Sequence, residues 1–143
     1  MSYRVSADEL QFMSMLENLT GTLPKDCVID SENRLIAVVQ QRDIGRFIGR
    51  GGSVIRELRQ KLQRDVDVVQ WAEDLEGFAR NTVQPARVSS VEVIEKKEGK
   101  KTIIITVPQG DRGKAIGKGG RTISRAKLLL RRHFGIENVV IKS

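Results

Sequence analysis

The sequence predicts an α+β protein built from two small domains of one design, each a three-stranded sheet packed on helices in the order α-β-β-α-α-β. Three observations carry this expectation. The chain repeats itself at a constant spacing of 68 residues. Gly45, Ile48, Gly49, Gly51, Gly52, Ile55 and Leu62 recur as Gly113, Ile116, Gly117, Gly119, Gly120, Ile123 and Leu130, while Arg46 and Arg50 keep their charge as Lys114 and Lys118. In both copies a cationic glycine turn stands at the mouth of an amphipathic helix. Around it, the hydrophobic period switches between the helical and the extended value in the same order twice.

The first half opens with Ser6 and Glu9, spaced as a capping box in which the serine oxygen and the glutamate carboxylate each satisfy an amide of the first turn. Leu10, Phe12, Met13, Met15, Leu16 and Leu19 then form a wide apolar face, and Gly21 offers a stop, so a helix is expected over about 7–19. The runs "CVID" and "RLIAVVQ" read as two strands joined by a tight turn at "SEN". After Gly52 a second helix runs from about Ser53 to Gln63, with Val54, Ile55, Leu58 and Leu62 as its buried stripe. "DVDVVQW" alternates and closes the half as a strand.

The second half has the same order. "AEDLEGFARNTV" is helical with a weak break at Gly77, and "ARVSSVEVIEKKEGKKTIIITV" is two strands around a solvated Lys/Glu/Gly tip. The second glycine turn leads into a helix ending near Phe134, with Gly135 as its stop, and "ENVVIKS" is the last strand. The domains are placed at 1–71 and 72–143. No Pro-, Gly- or Ser-rich linker separates them, so a short, stiff junction and a rigidly joined pair are expected, with Trp71 as a packing residue beside it.

Composition narrows the partners. The net charge is +7 and the isoelectric point about 9.9, which points to nucleic acid or an anionic membrane surface. The first 71 residues balance their charges, so the whole surplus lies in the second half. One cysteine, Cys27, excludes an internal disulfide and reads as a buried small hydrophobe. One cysteine and one histidine, His133, cannot supply a four-ligand zinc site, so no metal and no cofactor is expected. Neither a signal peptide nor an apolar run of membrane-spanning length is visible, and a cytoplasmic monomer without membrane contact is expected.

The turns "IGRGG" and "IGKGG" have the chemistry of a phosphate contact. Glycine lets backbone approach a ligand closely. The amides that start the following helix lack intrahelical partners and carry partial positive charge. Arg50 and Lys118 add full charges at the tip. A nucleotide-binding P-loop is excluded, because Arg112 stands five residues before Gly117 and Gly119 follows Lys118 where Ser or Thr is required. The dinucleotide fingerprint fails at Val54 and Thr122, where it needs glycine. What remains is G-x-x-G, at Gly49–Gly52 and Gly117–Gly120.

G-x-x-G set between a hairpin and an amphipathic helix resembles the clamp of the type II KH domain. Two in tandem, with "ADELQFMSMLENLTG" at the start and "GRTISRAKLLLRRHFGIENVVIK" at the end, are similar to the archaeal NusA-like transcription factors over nearly the whole chain. Bacterial members carry in addition a polymerase-binding amino-terminal domain and an S1 domain, for which this chain has no room. The resemblance implies single-stranded RNA as partner and leaves RNA polymerase open as a second one. It implies that each G-x-x-G holds about four nucleotides of backbone, with bases in an aliphatic groove where Ile55 and Ile123 serve either as lining or as core. Candidate RNA-binding residues are therefore Gly49, Arg50, Gly51, Gly52, Gly117, Lys118, Gly119 and Gly120, with Arg46, Lys114, Arg56, Arg121 and Arg125. The charge pattern supports this: residues 112–132 contain eight basic side chains and no acidic one, and Arg121, Arg125 and Arg132 fall on nearly one helix face. The expected function is non-catalytic RNA binding in transcription termination, antitermination or elongation control, with ribosomal RNA processing or assembly as the alternative. A nucleotide or RNA hydrolase lacks the motifs it would need. Asp111, the best lone acidic candidate, is read as a helix cap.

Overall fold

The computed structural model describes residues 3–143, which form two compact units, Arg4–Trp71 and Ala72–Ser143 with Tyr3. In the first unit α1 spans Ala7–Thr20, β1 Asp26–Ile29, β2 Leu35–Val39, α2 Ile44–Ile48, α3 Ser53–Leu62 and β3 Val66–Gln70. In the second, α4 spans Leu75–Thr82, β4 Ser90–Glu95, β5 Lys101–Thr106, α5 Arg112–Ile116, α6 Arg121–Phe134 and β6 Ile136–Lys142. This is the α+β design expected twice over.

Local chemistry explains the boundaries. The capping box at α1 is complete: the Glu9 amide donates to Ser6 Oγ at 3.1 Å and the Ser6 amide to Glu9 Oε1 at 3.0 Å. Glu9 is buried because its other oxygen accepts from the Ile29 amide of β1 at 3.3 Å, so the cap also ties helix to sheet. Gly21, with φ 80°, ends the helix in the left-handed region. Between β1 and β2, Asp30 Oδ1 accepts from the amides of Glu32 and Arg34, both at 2.9 Å, and Arg34 closes an ion pair with Asp30 at 2.8 Å.

Gly77 departs from expectation. It does not break α4 but lies in its first turn, where its amide donates to Asp74 Oδ2 at 2.9 Å. A Cβ there would stand 2.7 Å from Asp74 Oδ1, so glycine makes room for the capping carboxylate.

Each sheet has the same topology. β1 pairs antiparallel with β2, Cys27 opposite Ala37, and β2 pairs parallel with β3, Ala37 opposite Val68. β4 pairs antiparallel with β5, and β5 parallel with β6 with Ile104 opposite Val140. The helices cover one face. In the first unit Leu16, Leu35, Ala37, Phe47, Leu58 and Val66 join in a single buried cluster. Cys27 belongs to the same cluster, as its apolar setting in the sequence suggests. In the second unit Phe78, Ile103, Ile105, Leu129, Leu130 and Ile136 are buried, with α4 and β6 packed on α6. His133 is an aromatic packing group there, its ring edge-on to Tyr3 at 4.5 Å and to Phe78 at 5.7 Å.

Candidate nucleic-acid interface

Both glycine turns are held by the short helix before them and released into the longer helix after them. The Gly49 amide donates to the Gly45 carbonyl at 2.8 Å and the Gly52 amide to the Gly49 carbonyl at 3.1 Å. The second turn repeats this: Gly117 to Gly113 at 2.8 Å and Gly120 to Gly117 at 3.0 Å. Backbone angles agree closely, with φ 74°, 61° and 79° at Gly49, Gly51 and Gly52 against 81°, 64° and 78° at Gly117, Gly119 and Gly120.

The glycines of each motif do different work. A Cβ on Gly49 would sit 2.5 Å from Val54 Cγ2 and 2.7 Å from the Val54 amide nitrogen, and one on Gly117 would sit 2.7 Å from the Thr122 amide nitrogen. These two let the short helix approach the long one. A Cβ on Gly51 or Gly119 would meet nothing within 4 Å; these two are the exposed crowns of the turns. No side chain caps α3 or α6, whose Ncap residues are Gly52 and Gly120. The Ser53 and Arg121 amides donate within the turns, to the carbonyls of Arg50 and Lys118, and no side chain occupies the positive end of either helix dipole.

The cations sort into two groups. Arg50 and Lys118 are exposed at the crowns, with Arg46 and Lys114 exposed on the short helix before each; Arg46 also donates to Thr22 Oγ1 at 3.0 Å. Arg56 supports the first turn from behind, its Nη1 donating to the Gly51 carbonyl at 2.6 Å. Arg125 is placed elsewhere. Its guanidinium donates to the Thr82 carbonyl at 2.9 and 3.1 Å and to the Gln84 carbonyl at 2.7 Å, holding the end of α4. Arg132, on the same face, lies 4.8 Å over the ring of Tyr3, and Arg121 is half-buried with interactions of its own. The face chosen by periodicity therefore turns partly inward.

Asp111 is not a side-chain cap for α5. Its buried carboxylate accepts from the Arg87 amide at 2.7 Å and from the Arg87 guanidinium at 3.1 and 3.2 Å. These bonds hold its pKa down from 3.8 to about 2. An acid so firmly ionised and so fully engaged is an anchor for the entry to α5. Ile55 is buried in the first core and Ile123 half-buried. Trp71 is half-buried, with the Lys25 ammonium 5.0 Å over its ring. Two residues escaped the sequence reading: Lys127 and Arg131, exposed on α6, whose side chains make no hydrogen bond or ion pair with a described residue. Their signal was the spacing of four on a helix, masked by the arginines on the neighbouring face. Among the described residues no cluster of three or more His, Cys, Asp or Glu could hold a metal, and no helix is long and apolar enough to cross a membrane.

A helix, a β-hairpin, a G-x-x-G turn between two helices and a strand returning parallel to the centre of the sheet define a KH domain, and the molecule has two. The family described as NusA-like second KH domain matches residues 75–141, and the KH domain family matches residues 13–72. The "Probable transcription termination protein NusA" of Halobacterium salinarum is 36% identical, over 97% of this chain and 98% of that protein. The "Transcription termination/antitermination protein NusA" of Thermus thermophilus is 36% identical over 60% of this chain but only 22% of its own length. The crystal structure of APE1850 superposes with a TM-score of 0.87 at 40% identity, covering 96% of this chain and 100% of that one. The chain belongs to the archaeal NusA-like family of tandem KH proteins.

Proposed function

We propose that the chain binds single-stranded RNA by seating the sugar–phosphate backbone on its two glycine turns, and that it acts without catalysis on transcripts, in the control of termination or elongation. The observation that carries this is the duplicated turn itself: an open crown at Gly51 and Gly119 beside Arg50 and Lys118, leading into helices that no side chain caps. Anionic oxygens complete such a site, and Arg46 and Lys114 lie one helical turn before each crown. The names of the relatives support transcription as the setting.

The test is Gly51→Asp and Gly119→Asp. Both positions have a left-handed φ that Asp tolerates better than most residues, and open space for its side chain. Each single variant should lose about tenfold or more in affinity for a single-stranded RNA, since a carboxylate would face phosphate where an amide did, while the circular dichroism spectrum stays unchanged. A folded double variant that binds as the parent does would overturn the proposal. Crosslinking and sequencing of RNA bound in cells then separates nascent messages from ribosomal RNA.

A further inference from the structure

The second unit has a groove that the glycine turn does not explain. Ser124, Lys127, Leu128 and Arg131 line it from α6, and Glu137, the second residue of β6, lines it from the sheet; its volume is about 330 Å³. The four helical residues are spaced i, i+3, i+4 and i+7, so they form one stripe. That stripe runs away from the turn: Lys127 and Arg131 stand roughly 10 and 16 Å beyond Gly120 along the helix axis.

The first unit offers a control within the same chain. The residues 68 positions earlier are Arg56, Arg59, Gln60 and Gln63. Arg56 donates to the Gly51 carbonyl and Arg59 to the Val66 carbonyl at 3.1 and 3.2 Å, and α3 ends at Leu62. There the cations serve the protein's own backbone. In the second unit the helix is four residues longer, and Lys127, Arg131 and Glu137 are exposed with no partner among the described residues.

We infer that this groove takes one more nucleotide of the strand held at Gly117–Gly120, and that Glu137 selects a base carrying an exocyclic amino group. The inference rests on the RNA reading above. Lys127 and Arg131 meet phosphates, and Leu128 gives a base an apolar floor. The Glu137 carboxylate only accepts hydrogen bonds, so it pairs with the amino group of cytosine. Uracil presents one N–H flanked by two carbonyl oxygens, which repel the carboxylate.

Binding of C12 and U12 oligoribonucleotides, followed by fluorescence anisotropy, tests this. The parent should prefer C12 by about fivefold, a single discriminating contact. Glu137→Gln should bring the two affinities together, because an amide both donates and accepts; removal of a negative charge alone would raise both and leave their ratio intact. Lys127→Ser with Arg131→Ser should flatten the log–log salt slope by about 1.4. A preference for C12 that survives in Glu137→Gln, no preference in the parent, or a salt slope unchanged in the double serine variant would overturn the inference. If neither oligonucleotide binds, the RNA reading fails and this inference with it.

Discussion

At the scale of the residue, the two turns separate glycines that build the fold from glycines that present it. Gly117→Ala places a methyl group 2.7 Å from the Thr122 amide nitrogen, at φ 81°. The short and long helices would have to part, and we expect a loss of about 2 kcal/mol or more in urea unfolding. Gly119→Ala, in open space at φ 64°, should cost only about 1 kcal/mol. Asp111 makes a second residue-scale prediction. Its folded pKa lies below its ordinary 3.8, at about 2, so the stability it contributes is present above 3.8 and lost as pH falls towards 2. Asp111→Asn should therefore remove part of the steepness of acid unfolding between those values, and should do so without any change in slope near neutrality. Thermal unfolding measured across that range checks it.

At the scale of the element, α4 depends on a side chain from α6. It is eight residues long, with Asp74 at its start and the Arg125 guanidinium on the carbonyls of Thr82 and Gln84 at its end. Helices of that length do not stand alone in water. Arg125→Met keeps the stem and removes the donors; hydrogen bonds to a charged group of this kind are worth about 1.5–3 kcal/mol. We expect faster amide exchange confined to α4, with RNA affinity little changed. A large loss of affinity without faster exchange would place Arg125 on the nucleic acid instead. On α1, Ser6→Ala should cost about 1 kcal/mol, because it removes the Oγ acceptor of the Glu9 amide, while the residue-6 amide still donates to the Glu9 carboxylate that reaches β1. How far such elements could be read from sequence varied with how local their causes are. The α1 cap, the Gly21 stop and the tight turn at 31–33 are made by neighbours a few residues apart, and each is legible. The weak break expected at Gly77 does not occur, because the Asp74 side chain that needs the space of a missing Cβ there becomes apparent only in three dimensions.

At the scale of the whole molecule, the surplus charge of +7 is held entirely by the second half, and α6 carries much of it. RNA binding should weaken steeply with salt. If Arg46, Arg50, Lys114 and Lys118 each meet one phosphate, the log–log slope from the turns alone is about −2.8, to which Lys127 and Arg131 add. A flat response in a titration of ionic strength would remove the electrostatic basis of the interface.

The sequence by itself determined the duplication, the order of the elements, the left-handed bends at the glycine turns and the sign of the charge beside them. Each of these follows from sterics and hydrogen bonding among residues close along the chain. Tertiary structure decided which cations remain free. Arg125 was aligned with the turn by periodicity, yet its guanidinium binds carbonyls more than forty residues away. Lys127 and Arg131, one face over, find no acceptor among the described residues. A helical period tells which side chains share a face; what packs against that face depends on long-range contacts, and these assign each charge either to the protein's own backbone or to a ligand.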